Sequence, residues 1–182
     1  MNFADVLQKR RVTLGWVLAA AFVVFARPTP GAIAAGALPL VLGVAIRTWA
    51  AGHIRQSEEL AMTGPYAHTR NPLYFGSFLM TCGALVMGRN GWLAAASLLI
   101  AVPVYYVVIR KEEGEIAAVF GQKFVDYTRE VPRFFPRLVR THCAAGSFDW
   151  SLMRRNREWR AWIGAALLTV FMLSRWYWSR GR

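Results

Sequence analysis

Apolar residues along the chain gather into five runs, which are separated by short segments rich in arginine, glycine, proline and polar residues. A membrane-spanning helix needs about 20 mostly apolar residues. Each run comes close to that length, and the short first run can be extended because Arg11 and Arg27 can reach outward to the interfaces. The pattern therefore predicts an all-α, polytopic integral membrane protein with about five transmembrane helices, at residues 12–26, 31–52, 73–88, 92–109 and 161–178. The third and fourth are predicted to form a hairpin with its turn at Arg89-Asn90-Gly91.

The charges between these runs predict an orientation. Five spans place the N-terminus, the 54–71 loop and the 110–160 segment on one side, which then holds 16 of the 22 Lys and Arg residues against five on the other side. By the positive-inside rule the richer side is cytoplasmic. We therefore expect an integral protein of a bacterial-type cytoplasmic membrane with its N-terminus in the cytosol. A signal peptide is the alternative for the first run, but residues 24–26 make a poor cleavage site.

Composition and charge argue against several other classes of protein. The chain is 55% hydrophobic and has a formal net charge of +12. Its basic residues flank apolar runs, where lipid headgroups account for them, so we expect no nucleic-acid partner. Cys82 lies in an apolar run and Cys143 in a polar one, which argues against a disulfide framework. The histidines are scattered and neither cysteine has a ligand partner at a usual spacing, so no metal site is predicted; the histidines are His53, His68 and His142.

The loop before the third run, GPYAHTRNPLYFG at residues 64–76, holds more hydrogen-bonding groups than a membrane loop needs. Pro72 suits the first position of the third helix and pushes Asn71 out of the helical region, so Asn71 is predicted to be the N-cap. A capped helix start, with Arg70 as a lipid-facing charge, explains this loop without any ligand. The loop becomes a candidate site only together with other polar residues on the same face.

Those residues lie at the end of the fourth run. Apart from one proline, which a membrane helix tolerates as a kink, nothing breaks the helical pattern over residues 92–120. Such a helix is roughly 43 Å long at ~1.5 Å per residue and outruns an apolar core of about 30 Å. Its last turns carry Glu112, Glu113 and Glu115 beside the 64–76 loop. These carboxylates either pair with Lys and Arg on a solvated surface or bind the cationic amine of a ligand.

The two segments together resemble the isoprenylcysteine carboxyl methyltransferase family and its phospholipid methyltransferase relatives. That family carries a Gly-Pro-Tyr lead, an Arg-His-Pro-x-Tyr motif, a helical hairpin, a Glu-Glu pair, a Phe-Gly pair followed by tyrosines, and a Val-Pro-Arg-x-x-Pro tail. The corresponding residues stand here in the same order: Gly64-Pro65-Tyr66, Arg70-Asn71-Pro72-Leu73-Tyr74, Glu112-Glu113, Phe120-Gly121, Tyr127 and Val131-Pro132-Arg133-Phe134-Phe135-Pro136.

The resemblance implies an integral membrane enzyme that binds S-adenosyl-L-methionine from the cytosol and a lipid or lipidated acceptor from the bilayer, with the active site facing the cytosol. Glu113 and Arg133 are the candidate catalytic residues, and Arg133 and Glu158 are the candidates for binding the acceptor. The core would occupy residues 64–140, between N-terminal membrane helices at 1–63 and a basic segment with the last helix at 141–182. The implied cofactor site consists of Tyr66, Arg70, Asn71, Pro72, Tyr74, Glu112 and Glu113.

Two positions depart from the family pattern. Asn71 stands where carboxyl methyltransferases of the family have His, and Phe124 replaces a Tyr, which removes a hydroxyl group. The Asn side chain donates and accepts hydrogen bonds, but unlike His it cannot take up and release a proton. The leading prediction is methylation of a lipid-linked carboxylate of the isoprenylcysteine type, and the alternative is N-methylation of a phospholipid such as phosphatidylethanolamine. An NADPH-dependent membrane reductase and a non-enzymatic membrane protein are the remaining alternatives.

Overall fold

A computed structural model describes residues 3–55, 59–139 and 146–180, with side chains from residue 13 onward except that of residue 14. His142 and Cys143 lie outside the described residues. Within these ranges the chain is helical, as predicted, and no strand occurs. The helices are α1 (Phe3–Phe25), α2 (Pro30–Ala51), α3 (Pro72–Gly88), α4 (Gly91–Phe120), α5 (Gln122–Glu130), α6 (Trp150–Arg155) and α7 (Trp159–Arg180), and a 3₁₀ turn occupies Gly64–Ala67.

Helix length and composition bear out part of the five-span prediction. Within the described ranges, α2 and α4 are each long and apolar enough to cross a membrane. Residues 15–25 of α1 and the whole of α3 are apolar but shorter. Helix α1 begins at Phe3, nine residues before the predicted start, because the basic residues at positions 9–11 continue the helix instead of preceding it. Two spans are therefore supported, and the five-span topology stays a prediction.

Helices α2 and α3 pack closely along a seam of glycines. A Cβ atom on Gly36 would lie 2.5 Å from the carbonyl oxygen of Gly83, and one on Gly43 would lie 2.5 Å from that of Gly76. In both helices the glycines are seven residues apart, so they recur on one face of each helix. Small residues at such positions let two backbones approach closely in a membrane. The seam fixes the position of Pro72 at the start of α3.

Helix α4 follows the sequence prediction. It runs unbroken through Pro103 for 30 residues, which corresponds to about 45 Å at 1.5 Å per residue. The predicted turn before it is confirmed: Arg89 adopts a left-handed conformation with φ of 49°, and the Asn90 side chain accepts a hydrogen bond of 3.0 Å from the Leu93 amide. The acidic residues of α4 are thereby carried beyond the apolar part of the bundle.

The C-terminal helices pack against the end of α2. The Asn156 amide donates to the carbonyl oxygen of Ala51 at 2.9 Å, and the Trp162 indole donates to the Thr48 hydroxyl at 2.9 Å. These bonds bring the start of α7 to the same end of the bundle as the start of α3. We call this the cavity end, and it holds Ala51, Pro72, Phe120 and Trp159. The opposite end is called the far end, and it holds Phe25, Pro30, Gly88, Gly91 and Arg180.

Candidate functional site

The loop of residues 64–71 begins with a turn that only glycine fits. Gly64 has φ of +58°, and a Cβ atom there would lie 2.6 Å from the His53 ring. The following 3₁₀ turn directs Tyr66 inward, where it is 5% exposed. The Tyr127 hydroxyl then donates to the Tyr66 carbonyl oxygen at 2.6 Å. The loop is therefore attached to α5, which packs its Phe124 and Tyr127 into a small apolar core.

The Val-Pro-Arg tail runs alongside this loop and is bonded to it through the backbone. The Arg70 amide donates to the Pro132 carbonyl oxygen at 2.9 Å, and the Arg137 amide donates to the His68 carbonyl oxygen at 3.0 Å. Between them the buried Thr69 hydroxyl donates to the Phe134 carbonyl oxygen at 2.9 Å. The two motifs that are 60 residues apart in the sequence thus form one unit.

Glu113 joins this unit to α4. Its buried carboxylate accepts a 2.8 Å hydrogen bond from the Arg133 Nε and a 3.3 Å bond from the Asn71 side-chain amide. The Arg70 Nε also lies 3.3 Å from Glu113 Oε1, at ion-pair distance but without hydrogen-bond geometry. A buried carboxylate needs such partners, since an unpaired buried charge is costly.

Asn71 is only partly the N-cap that the sequence predicts. Its carbonyl oxygen accepts the first helical bond of α3, from the Phe75 amide at 3.0 Å. Its side chain makes no capping bond. Instead the amide nitrogen donates to Glu113 and, at 2.9 Å, to the Arg133 carbonyl oxygen. The capping prediction is wrong for the side chain, because the bonds from its nitrogen to these two acceptors hold the side chain in an orientation in which its oxygen accepts no bond from the first turn of α3.

A cavity of about 360 Å³ opens beside this unit, and we call it the acidic cavity. It lies between the loop, α4 and α5, and its volume is within the range of small-molecule sites. One wall is apolar and contains Ile116, Val119, Phe120 and Phe124. The charged lining consists of two arginines and four glutamates, so carboxylates exceed guanidinium groups by two in a chain whose net charge is +12: Arg55, Arg70, Glu59, Glu112, Glu113 and Glu115.

Two buried polar atoms that line the acidic cavity have no hydrogen-bond partner among the described residues. These are the Tyr66 hydroxyl and the Arg70 Nε. Burial raises the pKa of the Tyr66 phenol well above its ordinary value, and the Glu158 carboxylate raises it further. Burial also lowers the pKa of Arg70, against the opposing effect of Glu113. Unsatisfied buried groups are rare in folded proteins. Because both residues line the acidic cavity, this cavity is the candidate ligand site.

A second cavity of about 570 Å³ lies between α2, α3, α4 and the start of α7. Arg47 and Glu158 face each other in it and form a two-pronged ion pair, in which Arg47 Nε donates to Glu158 Oε2 at 3.1 Å and Nη2 donates to Oε1. Arg47 Nη1 also donates to the Ser77 hydroxyl. We call this the Arg47–Glu158 cavity, and its remaining polar lining includes Thr81, Tyr105, Asn156, Arg157 and Arg160.

Two tyrosines lie between the cavities. The Tyr74 hydroxyl donates to Glu112 Oε1 at 2.6 Å, while its ring contacts the Tyr105 ring with centroids 5.6 Å apart. Glu112 lines the acidic cavity and Tyr105 lines the Arg47–Glu158 cavity. Tyr66 lines the acidic cavity and lies close enough to Glu158 and Arg47 for both charges to act on its phenol. The two cavities therefore share a wall.

Only some of the site residues predicted from the sequence lie at the same cavity. Five of them line the acidic cavity: Tyr66, Arg70, Asn71, Glu112 and Glu113. Tyr74 reaches this cavity through Glu112, and Pro72 is buried at the start of α3. Arg133 lies behind the cavity on Glu113, and Glu158 lies in the second cavity. Within the described ranges no group of three metal-ligating side chains occurs.

Sequence reasoning missed Arg47 and Thr69. Arg47 carried a signal, because an arginine within an apolar run needs a partner and marks a functional position by default. Glu158 is the partner that the fold supplies. Thr69 carried no such signal, since its role depends on the tail that packs beside it.

The described ranges form a helical bundle with two helices long and apolar enough to cross a membrane and with a candidate polar site at one end. Comparison with known families makes the class specific: residues 40–123 match the family described as phospholipid methyltransferase. This segment includes Arg47, the 64–76 loop and the carboxylates of α4. The match confirms the resemblance inferred from the motifs.

Three curated relatives are similar to part of the chain, and their descriptions differ. The chain is 39% identical over 105 residues to the nickel-cobalt-cadmium resistance protein NccN of Alcaligenes xylosoxydans xylosoxydans, covering 57% of this chain and 49% of that protein. It is 34% identical over 112 residues to the cobalt-zinc-cadmium resistance protein CzcN of Cupriavidus metallidurans, covering 60% and 51% of the two chains. It is also 34% identical over 118 residues to the protein-S-isoprenylcysteine O-methyltransferase of Rattus norvegicus, covering 57% and 40%.

These matches span about half the length of the curated relatives, or less. No solved structure is significantly similar to the chain.

Proposed function

We propose that this protein is an S-adenosyl-L-methionine-dependent membrane methyltransferase whose acceptor is a lipid-linked carboxylate of the isoprenylcysteine type. The observation that carries the proposal is the acidic cavity, where carboxylates outnumber arginines although the chain is strongly basic. A cavity of that charge favours a ligand with positive charge. The phospholipid methyltransferase match over residues 40–123 supplies independent support.

The residues that line the acidic cavity fit the cofactor. Its sulfonium and ammonium groups are cations, which suit Glu112 and Glu115, and its carboxylate suits Arg70. The apolar wall with Phe120 and Phe124 suits a flat base. The unpartnered Tyr66 hydroxyl and Arg70 Nε would complete their bonding on this ligand. When bound, S-adenosylmethionine supplies a methyl group on an activated sulfonium leaving group.

Glu113 and Arg133 act in this proposal by holding the site in place. Both are bonded to each other and to the loop, so they fix the positions of Tyr66 and Arg70 relative to α4. Fixing the geometry of the reacting groups supplies much of the rate in a transfer of this kind. A carboxylate acceptor arrives already deprotonated, so the chain needs no general base for it.

The Arg47–Glu158 cavity is the proposed acceptor site. Three arginines and one glutamate line it, so it carries the opposite balance of charge from the acidic cavity: Arg47, Arg157, Arg160 and Glu158. That balance favours an anionic group on the acceptor. Tyr66 and Tyr74 lie between the two sites, so in this proposal a direct transfer requires the acceptor group to reach past these side chains to the methyl donor. In this proposal Arg47 holds Glu158 at the entrance.

N-methylation of a phospholipid is the second candidate, because the matching family is described as phospholipid methyltransferase. An amine acceptor has to lose a proton before or during the transfer, so it needs a base. The exposed carboxylates that line the acidic cavity and could accept it are Glu59, Glu112 and Glu115. A reductase that binds NADPH is disfavoured by the same cavity, since phosphate groups would face an excess of carboxylates.

Calorimetric titration of the purified protein tests the cofactor assignment. We expect heat of binding with S-adenosylmethionine and with S-adenosylhomocysteine, and none with NADPH. Glu112→Gln removes one carboxylate from the cavity and should weaken binding of the cationic cofactor by about tenfold, which corresponds to about 1.4 kcal/mol. Asp126→Asn is the matched control, because Asp126 is an exposed carboxylate of α5 that pairs with Arg129 outside the cavity. No heat with either S-adenosylmethionine or S-adenosylhomocysteine would refute the assignment.

Transfer of a labelled methyl group tests the acceptor. The protein is incubated with labelled cofactor and either a prenylcysteine analogue or a total lipid extract. Label that base treatment releases from the prenylcysteine analogue marks an ester and supports the leading proposal. Base-stable label in phospholipid marks N-methylation and favours the second candidate.

A further inference from the structure

A third cavity, of about 830 Å³, opens at the far end of the bundle, away from the proposed methyltransferase site. It lies where the turn between α1 and α2, the turn between α3 and α4, and the last turns of α7 meet. Three arginines line it together with two hydroxyl side chains and a tryptophan: Arg27, Arg89, Arg175, Thr29, Ser179 and Trp178. We call it the far-end cavity.

Positive charge in the far-end cavity has no counter-charge from the protein. No acidic residue occurs in the turns that form it or in residues 159–180 of α7. Every acidic side chain that the structure describes lies toward the cavity end, and these are Glu59, Glu112, Glu113, Glu115, Asp126, Glu130, Asp149 and Glu158. Among the described residues, the cavity thus gathers three cations in a part of the protein that supplies no anionic side chain. Mutual repulsion of these cations costs free energy unless an outside anion is bound.

Arg175 has a structural role in this cavity. Its guanidinium donates to the carbonyl oxygens of Ala26, Val23 and Val24 at 2.7, 2.8 and 2.6 Å. These bonds satisfy the carbonyl groups at the end of α1 and hold the guanidinium in a fixed position. They use three of its five N–H groups, which leaves two donors. One wall of the cavity is therefore a fixed cationic surface.

Arg27 and Arg89 are different, because neither guanidinium has a hydrogen-bond acceptor or an ion-pair partner among the described residues. Their backbones are nevertheless held. The Arg27 amide donates to the Gly88 carbonyl oxygen at 2.8 Å, and Asn90 donates to the Phe25 carbonyl oxygen at 3.3 Å, so the two turns are bonded to each other. Two free guanidinium groups are thus presented together by a fixed backbone.

We propose that the far-end cavity binds a phosphate oxyanion, with Arg27 and Arg89 as its principal ligands and Arg175 as the fixed third cation. Arginine presents donors in a planar fork that matches phosphate geometry. Thr29 and Ser179 add hydroxyl donors at the cavity wall. At this end of the apolar helices, the phosphate is that of an anionic phospholipid headgroup or of a soluble phosphate. Trp178 suits the headgroup level of a bilayer.

Native mass spectrometry of the full chain, delipidated in detergent, tests the lipid source. We expect one phosphatidylglycerol to be retained per chain in preference to phosphatidylcholine, and a higher melting temperature in its presence. The double variant Arg27→Gln/Arg89→Gln should lose at least tenfold in affinity and should lose the rise in melting temperature. Arg89→Gln alone should show a smaller loss of affinity. This single variant replaces the double variant in the test if the double variant does not fold.

Arg180→Gln is the matched control. Arg180 lies at the same end and carries the same charge, but it stacks on the Trp176 ring at 4.8 Å and does not line the cavity. Inorganic phosphate, titrated at constant ionic strength against chloride, tests the soluble source. A rise in melting temperature with phosphate but not with lipid assigns the site to a soluble phosphate and supports the proposal. Equal binding by the wild type and the double variant, an equal loss in Arg180→Gln, or no effect of either ligand would overturn it.

Discussion

Glu113 fixes the relative positions of three parts of the site. Its carboxylate accepts hydrogen bonds from Asn71 and Arg133 and lies at ion-pair distance from Arg70. The loop, the start of α3 and the tail therefore converge on one buried side chain of α4. This explains why the Glu-Glu pair, the Arg-x-Pro motif and the Val-Pro-Arg tail occur together in this sequence.

Removing this carboxylate should destabilise the folded protein. Glu113→Gln leaves Arg70, whose side chain is 9% exposed, near a neutral group in a buried position. Breaking a buried ion pair in this way destabilises a protein by about 3 kcal/mol. The loss should be smaller here, because the Arg133 side chain is partly exposed and water can solvate it. We expect a clear fall in the melting temperature in detergent. The control is Glu115→Gln, an exposed glutamate two residues further along α4, which should change it little. Equal melting temperatures for both variants would contradict the role of Glu113.

Tyr66 should make stability depend on pH in alkaline solution. Burial raises the pKa of its phenol in the folded state, whereas the unfolded chain has the ordinary value of about 10. The unfolded state therefore loses its proton first as pH rises. The contribution of this group is complete below about pH 10 and is lost above it, by at most about 1.4 kcal/mol per pH unit.

Thermal unfolding of Tyr66→Phe at several pH values measures this effect. Below pH 10 the difference in stability from the wild type should be constant, and above it the wild type should lose stability faster than the variant. Tyr177→Phe, which removes a phenol exposed on α7, corrects for the loss of one hydroxyl group. Parallel pH curves for Tyr66→Phe and the wild type would show that the phenol is not buried.

At the scale of elements, the seam between α2 and α3 sets where the site loop begins. A Cβ atom on Gly83 would lie 2.6 Å from the Gly36 carbonyl oxygen, which is backbone and cannot rotate away. Gly83→Ala should therefore separate the helices and cost about 1–3 kcal/mol, as overpacking does. Gly164→Ala is the matched control in α7, where a Cβ atom meets nothing within 4 Å and the change favours the helix by up to about 1 kcal/mol. Melting temperatures that move in opposite directions would agree with this packing.

Elements were predictable from the sequence where the signal is local. The unbroken apolar run of α4 and its Arg89-Asn90 turn predicted one long helix after a tight turn, because capping and turn chemistry act over a few residues. The glycine seam was not predictable, since it depends on the register between two helices. The side chain of Asn71 was misassigned for a related reason: its acceptors, Glu113 and Arg133, are brought close only by the fold.

The same reasoning applies to the candidate site. Seven cofactor residues were selected because they stand in family motifs, and five of them line one cavity. The sequence did not reveal that the charged residues divide between two cavities. Arg47 and Glu158, which mark the second cavity, are 111 residues apart and meet only in the fold. At the scale of the whole molecule the second cavity takes residues from α2, α3, α4 and the segment before α7. A site assembled in this way depends on how the last helix packs.

The Arg47–Glu158 pair is the contact through which that packing can be tested. Its two side chains are 23% and 8% exposed, so removing either one leaves a largely buried charge without its partner. Arg47→Met and Glu158→Leu should each destabilise the protein by about 3 kcal/mol, whereas the double variant should recover most of the loss because no unpaired charge remains. Thermal unfolding of the four proteins forms a double-mutant cycle.

Activity of the double variant then separates a structural role from a role in the acceptor site. If the pair only holds α7 against α2, the double variant, which regains most of its stability, should also regain the wild-type kcat and the wild-type KM for the acceptor. If Arg47 and Glu158 shape the acceptor site, as proposed, the double variant should recover its stability but keep a KM for the acceptor at least tenfold above that of the wild type, with unchanged affinity for S-adenosylmethionine. The unchanged cofactor affinity is expected because neither residue lines the acidic cavity. Recovery of KM together with stability would assign the pair to the fold alone.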